Sequence, residues 1–165
     1  MGPAFSKGNA LISMRNTSTI AVVDLETETI VWSLAGPFSG QHDPVLLDNN
    51  NLLLFDNWGH RGYSKVIEMD PLTQEIAWAF YGSESNNFAS KCCGSNQRLP
   101  NDNTLITDST HGRSFEVTPE GRIVWDFYNP HRSPSDRTKI AALYDLKRYS
   151  PSYFDDWLRT GAAND

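Results

Sequence analysis

"NNLLLFDNWGHRGYSKVIEMDPLTQEIAWAFYG", residues 50–82, joins an apolar run, an alternating run, a turn and a tryptophan-marked strand. Two other segments line up with it. They are residues 8–36, "GNALISMRNTSTIAVVDLETETIVWSLAG", and residues 102–129, "DNTLITDSTHGRSFEVTPEGRIVWDFYN". Trp32, Trp78 and Trp125 recur at steps of 46 and 47 residues, and Asn9, Asn51 and Asn103 each open an apolar run. Self-similarity at a fixed period decides the architecture before any single motif does.

Each unit reads as strands. "KVIEMD" and "SFEVTPEGRIVWDF" alternate, and β-branched and aromatic residues are enriched in them. "DPLTQE", "TPEGR" and "LETET" reverse one hairpin per unit, while "LDNNN" and "LPNDN" reverse an earlier one. The second unit thus predicts strands over 43–48, 51–56, 64–69 and 75–81. A four-stranded antiparallel unit of this length is a β-propeller blade. The expected fold is all-β: a partial propeller of blades at about 8–36, 43–82 and 95–129, in one domain spanning 1–165. The first unit has no convincing innermost strand. An extra strand is expected over 139–150, "KIAALYDLKRYS", followed by a short helix or cap in "PSYFDDWLR", closing near residue 160. Three blades are fewer than the roughly four to eight of a closed ring. The chain therefore reads as the C-terminal half of a larger propeller, or as one half of a homodimeric ring.

Composition narrows the function classes. A net charge of −6 argues against a nucleic-acid partner, which needs a basic stripe. No apolar run approaches the ~20 residues of a membrane-spanning helix. The N-terminal "MGPAFSKGNALIS" has no apolar core of a secretion signal, so the compartment stays open. Cys92 and Cys93 are adjacent and lack zinc-site spacing, which reads as a free pair. Asn16-Thr17-Ser18 matches the glycosylation acceptor pattern, a motif with many chance matches.

Strand alternation places chemistry on one rim. The connection between blades and the turn between the second and third strands lie at the same end of a blade. His42 precedes an innermost strand. Asn57, Trp58, His60, Arg61 and Tyr63 sit in or beside the turn of the same blade. Aligning Asp56 with Asp108 pairs Arg61 with Arg113 and puts His111 in the matching turn of the third blade, with Ser95, Asn96 and Gln97 in the inter-blade region. His131 falls outside this group and reads as structural. Arginine suits sulfate, phosphate or carboxylate oxygens, histidine suits nucleophilic or acid–base work, and Trp58 and Tyr63 offer an aromatic wall. His42, Arg61 and His111 are the catalytic candidates; Asn57, Trp58, His60, Tyr63 and Arg113 are the substrate-binding ones.

"GQHDPVLLDNNNLLLFDNWGHRGYSKVIEMDPLTQEIAW", "QRLPNDNTLITDSTHGRSFEVTPEGRIVWDFYNPHR" and "AALYDLKRY" resemble the bacterial arylsulfate sulfotransferases and their relatives, six-bladed propellers. The resemblance covers the C-terminal half of such a propeller. It implies transfer of a sulfuryl group from an aryl sulfate to a phenol without a nucleotide sulfate donor, with no cofactor or metal. It permits a periplasmic or secreted location. It implies that His42 matches the channel-mouth histidine, which orients the sulfuryl group or handles the phenol proton, and that Arg61 matches the sulfate-clamping arginine. In the third blade the position aligned with an inner-strand histidine is Gly94. A non-catalytic propeller that binds an anion at the channel mouth is the alternative. A quinone-dependent dehydrogenase shares the blade style, but nothing in the sequence supports a quinone or its metal.

Overall fold

The apolar run that opens the second unit is buried on both sides, and this sets the architecture. In a computed structural model that describes residues 3–155, the side chains of Pro3 and His60 excepted, three antiparallel sheets stack in chain order. The first contains β1 (Ala10–Met14), β2 (Thr19–Asp24) and β3 (Thr29–Ala35). The second contains β4 (His42–Leu46), β5 (Leu52–His60), β6 (Tyr63–Met69) and β7 (Ile76–Tyr81). The third contains β8 (Ser95–Arg98), β9 (Thr104–Asp108), β10 (Arg113–Val117) and β11 (Ile123–Tyr128).

Successive residues of a strand face opposite sides, so the β5 run feeds two cores. Leu52 and Leu54 pack with Ile67, Met69 and Phe38 against Ile20 of the first sheet. Leu53 and Phe55 pack with Val66, Phe80 and Phe88 against Ile106, Phe115 and Val117 of the third. A strand covered on both faces needs no polar alternation, which is why "LLLF" is continuous. The middle sheet is a blade between two blades. The missing innermost strand of the first sheet is a structural fact among the described residues.

The tryptophans mark a repeated defect. Trp32 faces Val22, Trp78 faces Glu68 and Trp125 faces Glu116, and each register slips at the next pair. Val31, Ala77 and Val124, the residue before each tryptophan, is the extra one in a β-bulge, which sharpens the local twist. The following hairpins are closed by side chains. Asp24 accepts from the amides of Glu26 and Thr27, and Asp70 from those of Leu72 and Thr73. These bonds, from Thr27 and Thr73 foremost, hold both carboxyls below their ordinary pKa.

Blades are joined by a clamp that occurs twice. Glu68 accepts from Asn49 and Asn51 at 2.8 Å and from Arg98 of the next blade at 2.7 Å, and the Arg98 guanidinium lies 5.2 Å from the Trp78 ring centroid. Glu116 likewise accepts from Asn101 and Asn103 and pairs with Arg148, whose guanidinium lies 5.3 Å from the Trp125 centroid. At the junction of the first two blades the glutamate position holds Val22.

The C-terminal segment departs from expectation. Only an isolated bridge, Arg132 with Ile140, forms there, and residues 141–150 belong to no sheet. They are held by scattered hydrogen bonds: Ala141 N–H donates to His131 O and Leu143 N–H to Ser109 O, Arg148 N–H donates to Gln97 Oε1, and Gln97 Nε2 donates to Arg148 O. The expected strand over 139–150 is absent because no second strand lies beside it to complete a ladder. Pro151–Phe154 form a short 3₁₀ helix, where a short helix or cap was expected. The rest of that cap lies outside the described residues.

Burial pushes the Glu68 carboxyl up, but hydrogen bonds from Asn51 and Asn49 and the charge of Arg98 outweigh it, leaving the pKa below its ordinary value. Glu116 behaves the same way through Asn103, Arg148 and Asn101. Their stabilisation is therefore present above about pH 4.5 and fades as pH falls through the lowered folded values. We expect Glu68→Gln to cost about 1–3 kcal/mol in urea denaturation at pH 7, because it leaves a largely buried Arg98 unpaired. Glu116→Gln should cost about 1 kcal/mol or less, since Arg148 is half exposed.

Candidate functional site

Three consecutive residues, Gln41-His42-Asp43, each act in a different direction. Gln41 is fully buried and donates from Nε2 to Thr19 O at 2.9 Å and Ser13 Oγ at 3.2 Å, tying the connector to the first blade. Asp43 sits in a bulge with φ of 47°. Its Oδ2 accepts from Asn96 N–H at 2.7 Å and Lys147 Nζ at 3.0 Å, and its carbonyl accepts from Asn96 Nδ2 at 2.8 Å. His42, held between two anchored neighbours, is half-buried and opposes Phe55 across the ladder.

The surroundings of His42 fix its tautomer. The Asn57 amide nitrogen donates to Ser90 O at 2.9 Å and Cys93 O at 2.6 Å, so Asn57 Oδ1 is the atom that faces the imidazole. His42 Nδ1 lies 2.6 Å from that oxygen and 2.9 Å from Gly40 O. Both partners are acceptors, so Nδ1 carries the proton. In the neutral ring Nε2 then holds the lone pair. Asn57, expected as a substrate contact, is buried and fully committed; it positions His42 instead.

The loop that holds Asn57 is itself pinned. Ser90 Oγ donates to Cys92 O at 2.9 Å, and Ser64 Oγ bridges Asn57 O and Ser90 O. Both cysteine thiols are free; burial first and then the neighbouring Cys92 push the Cys93 thiol up. Gly94 has φ of 125°, and a Cβ there would meet the Phe55 ring at 2.5 Å, so only glycine fits. The ladder also corrects the alignment: Ser95, opposite Thr107, occupies the third-blade position of His42, one residue past Gly94.

Trp58 is exposed, donates from Nε1 to Lys91 O at 2.9 Å, and stands beside Gly40, whose added Cβ would meet its ring at 3.4 Å. It is an aromatic surface next to the histidine loop. Arg61 caps the β5–β6 hairpin with φ of 48° and is exposed, with no ion pair among the described residues. Tyr63 is half-buried and opposes His60 across that hairpin; the His60 side chain lies outside the described residues. His42 and Arg61 lie at the same end of the sheet, as strand alternation required, with no hydrogen bond between them among the described residues.

Arg113 is not the counterpart of Arg61. Asp56 opposes Lys65, and Asp108 opposes Arg113, so Lys65 and Arg113 are equivalent and the second blade's turn is longer. Counting from the aspartate mistook an insertion for an aligned position. Arg113 is buried and neutralised by Asp126, donating to it at 2.9 and 2.6 Å, with Asn86 O as a third partner. His111 Nδ1 donates to the buried Asp108 at 2.8 Å and lines a separate cavity of about 220 Å³ with Asn87, Tyr128 and Arg132. A cavity of about 960 Å³ lies at the opposite end of the inner strands, between Leu46–Asn49, Gln97–Asp102 and Arg148–Pro151. Its lining holds no histidine or cysteine.

Stacked antiparallel sheets of three, four and four strands define part of a β-propeller, with a tautomer-locked histidine at the start of β4. The chain belongs to the arylsulfotransferase (ASST) family, whose sequence model matches residues 3–130. Among solved structures it is similar to a protein of unknown function from Bacteroides caccae, at 16% identity and a TM-score of 0.53, over 73% of this chain and 42% of that one. BamB from Moraxella catarrhalis aligns at 14% identity and a TM-score of 0.45, over 78% of this chain and 36% of that one. The chain thus spans less than half the length of these structures. No curated protein matches it.

The hydrogen bond to Asp108 raises the His111 pKa against the smaller opposing effect of burial. A raised folded value means stabilisation fully present below about pH 6.5 and lost as pH rises through the folded pKa. Melting temperatures of wild type and His111→Gln from pH 5 to 9 should differ most at the acid end and converge at the alkaline end.

Proposed function

We propose that this chain carries the sulfuryl-accepting histidine of an arylsulfotransferase, moving a sulfuryl group from an aryl sulfate to a phenol without a nucleotide donor. The tautomer of His42 supports this reading most directly. With Nδ1–H engaged by Asn57 Oδ1 and Gly40 O, Nε2 presents its lone pair as the nucleophile. Nε2 forms a bond to sulfur as the aryl S–O bond breaks, and the aryl oxygen leaves with the electron pair and takes a proton from water. The sulfated ring is cationic, and the two carbonyl oxygens at Nδ1 stabilise its charge. The acceptor phenol oxygen then bonds to sulfur, the N–S bond returns its pair to Nε2, and the phenol proton leaves to water.

Arg61 is assigned to the sulfate oxygens. It is exposed at the same sheet end, whereas the Arg113 charge is spent on Asp126. Trp58, beside Gly40, is the surface for the aryl ring.

The test is release of 4-nitrophenol from its sulfate ester in the presence of phenol. His42→Ala should reduce turnover to the blank. Asn57→Ala should cost on the order of 10²-fold in kcat, because the His42 ring loses the oxygen that holds Nδ1–H and offsets its developing charge, and Arg61→Ala should act mainly on KM. Release at the blank level in wild type, unchanged by His42→Ala, ends the catalytic reading. Sulfate-ester binding that Arg61→Ala weakens, without turnover, would identify a binding module instead.

A further inference from the structure

The charges of this chain are sorted by end. Strand alternation puts the turns at 15–18, 61–62 and 109–112 and the connections at 36–41, 82–94 and 129–142 at the His42 end. The turns at 24–28, 47–51, 70–75, 99–103 and 118–122 lie at the other end. The His42 end carries Arg15, Arg61, Lys91, Arg132, Arg137 and Lys139 against Glu84 and Asp136. The other end carries Asp24, Glu26, Glu28, Asp70, Glu75 and Glu120 in one set of turns and Asp48 and Asp102 in the second, against Arg122. Between the ends many charges are already matched: Asp56 by Lys65, Glu68 by Arg98, Asp126 by Arg113 and Asp43 by Lys147. A chain with a net charge of −6 thus presents a positive rim, and that rim holds His42.

These cations are largely unspent. Arg15, Arg61, Lys91, Arg132 and Arg137 have no ion pair among the described residues, and Lys139 lies 3.7 Å from Asp136. Two of them flank the histidine loop. Ser13 Oγ donates to Gln41 O at 3.1 Å, which seats the turn of Arg15 beside the His42 connection. Lys91 O accepts from Trp58 Nε1 and Lys91 N–H donates to Thr110 Oγ1 at 3.0 Å, which seats Lys91 between Trp58 and the His111 turn. Their fields reach the loop. Burial and then Cys92 push the Cys93 thiol up while Arg15 opposes them, and Lys91 opposes the rise that Asp108 gives His111.

We propose that this rim is an electrostatic funnel that draws anions to the His42 mouth, and that Arg15 and Lys91 set its preference for negatively charged ligands. Unpaired cations of one sign around a binding region raise the local concentration of anions and speed their association by roughly 10- to 10³-fold. The acidic far end repels the same anions, so approach is favoured from one side. The choice of an aryl sulfate as the anion drawn in rests on the reading of His42 given above; the field does not.

Cys92 is exposed on the same rim and reports the field without turnover. In a Cys93→Ser background its thiolate attacks a disulfide reagent, and the new S–S bond releases half of the reagent as a thiolate. The rate with dianionic dithiobis(nitrobenzoate), divided by the rate with uncharged dithiodipyridine, cancels the thiolate fraction of Cys92. That ratio should fall about tenfold from ~0.01 M NaCl, where charges are felt over roughly 30 Å, to ~1 M, where they are felt over roughly 3 Å. The corresponding ratio for dicationic cystamine should rise. Lys91→Glu and Arg15→Glu should each lower the dianion ratio about threefold or more at ~0.01 M NaCl, and Glu75→Lys at the far end should change it less than either. A dianion ratio indifferent to salt, a cystamine ratio that falls with salt, or an equal effect of Glu75→Lys overturns the proposal. A chain that labels selectively but releases no 4-nitrophenol keeps the funnel and loses the His42 chemistry, whereas turnover with unselective labelling does the reverse.

Discussion

A blade buried on both faces cannot stand without neighbours, and this constraint governs the molecule. Leu52 to Phe55 send alternate side chains into two cores, one shared with the first sheet and one with the third. Apolar contact alone would let the sheets slide, because hydrophobic packing is not directional. The clamp of Glu68, Arg98 and Trp78 removes that freedom. A buried carboxylate with three donors has one satisfactory position, and its arginine comes from the next blade. Repetition of the clamp at Glu116 seats the C-terminal segment where the next blade begins.

The same economy shapes the site. Gln41, His42 and Asp43 are adjacent, but the bulge at Asp43 turns them toward three different structures. The outer two anchor the connector to the blades on either side, so the middle one is held without direct restraint on its Nε2. Asn57 completes the arrangement from the second strand, and the Ser90–Cys93 loop holds Asn57. In the proposed reaction, holding the imidazole at Nδ1 leaves the Nε2 lone pair for the sulfuryl group, and the carbonyl dipoles at Nδ1 offset the charge the ring would gain.

Family membership and chain length set the frame for these readings. The family match covers residues 3–130, while the segment that carries Arg148 lies beyond it. Yet that segment repeats the kind of contact Arg98 makes, a guanidinium on a glutamate Oε2 and over a tryptophan ring, which makes it part of the propeller's architecture rather than an appendage.

The amino-acid sequence by itself determined the three sheets, their strands and the end of the sheet at which His42 and Arg61 lie. These follow from local pattern: apolar runs, turn residues, and a tryptophan preceded by the bulging Val31, Ala77 or Val124. It did not determine which side chains are free. Asn57 and Arg113 looked like ligand contacts because they are polar and sit in or beside turns, but one is spent on His42 and two backbone carbonyls, the other on Asp126. Nor did it decide the pairing of Arg61, because a longer turn between Asp56 and Lys65 is visible only once the ladder register is known. The strand expected over 139–150 failed for a related reason: strand-forming residues make a strand only beside a partner. Hydrogen-bond partners distant in sequence are chosen by packing, and that choice belongs to the tertiary structure alone.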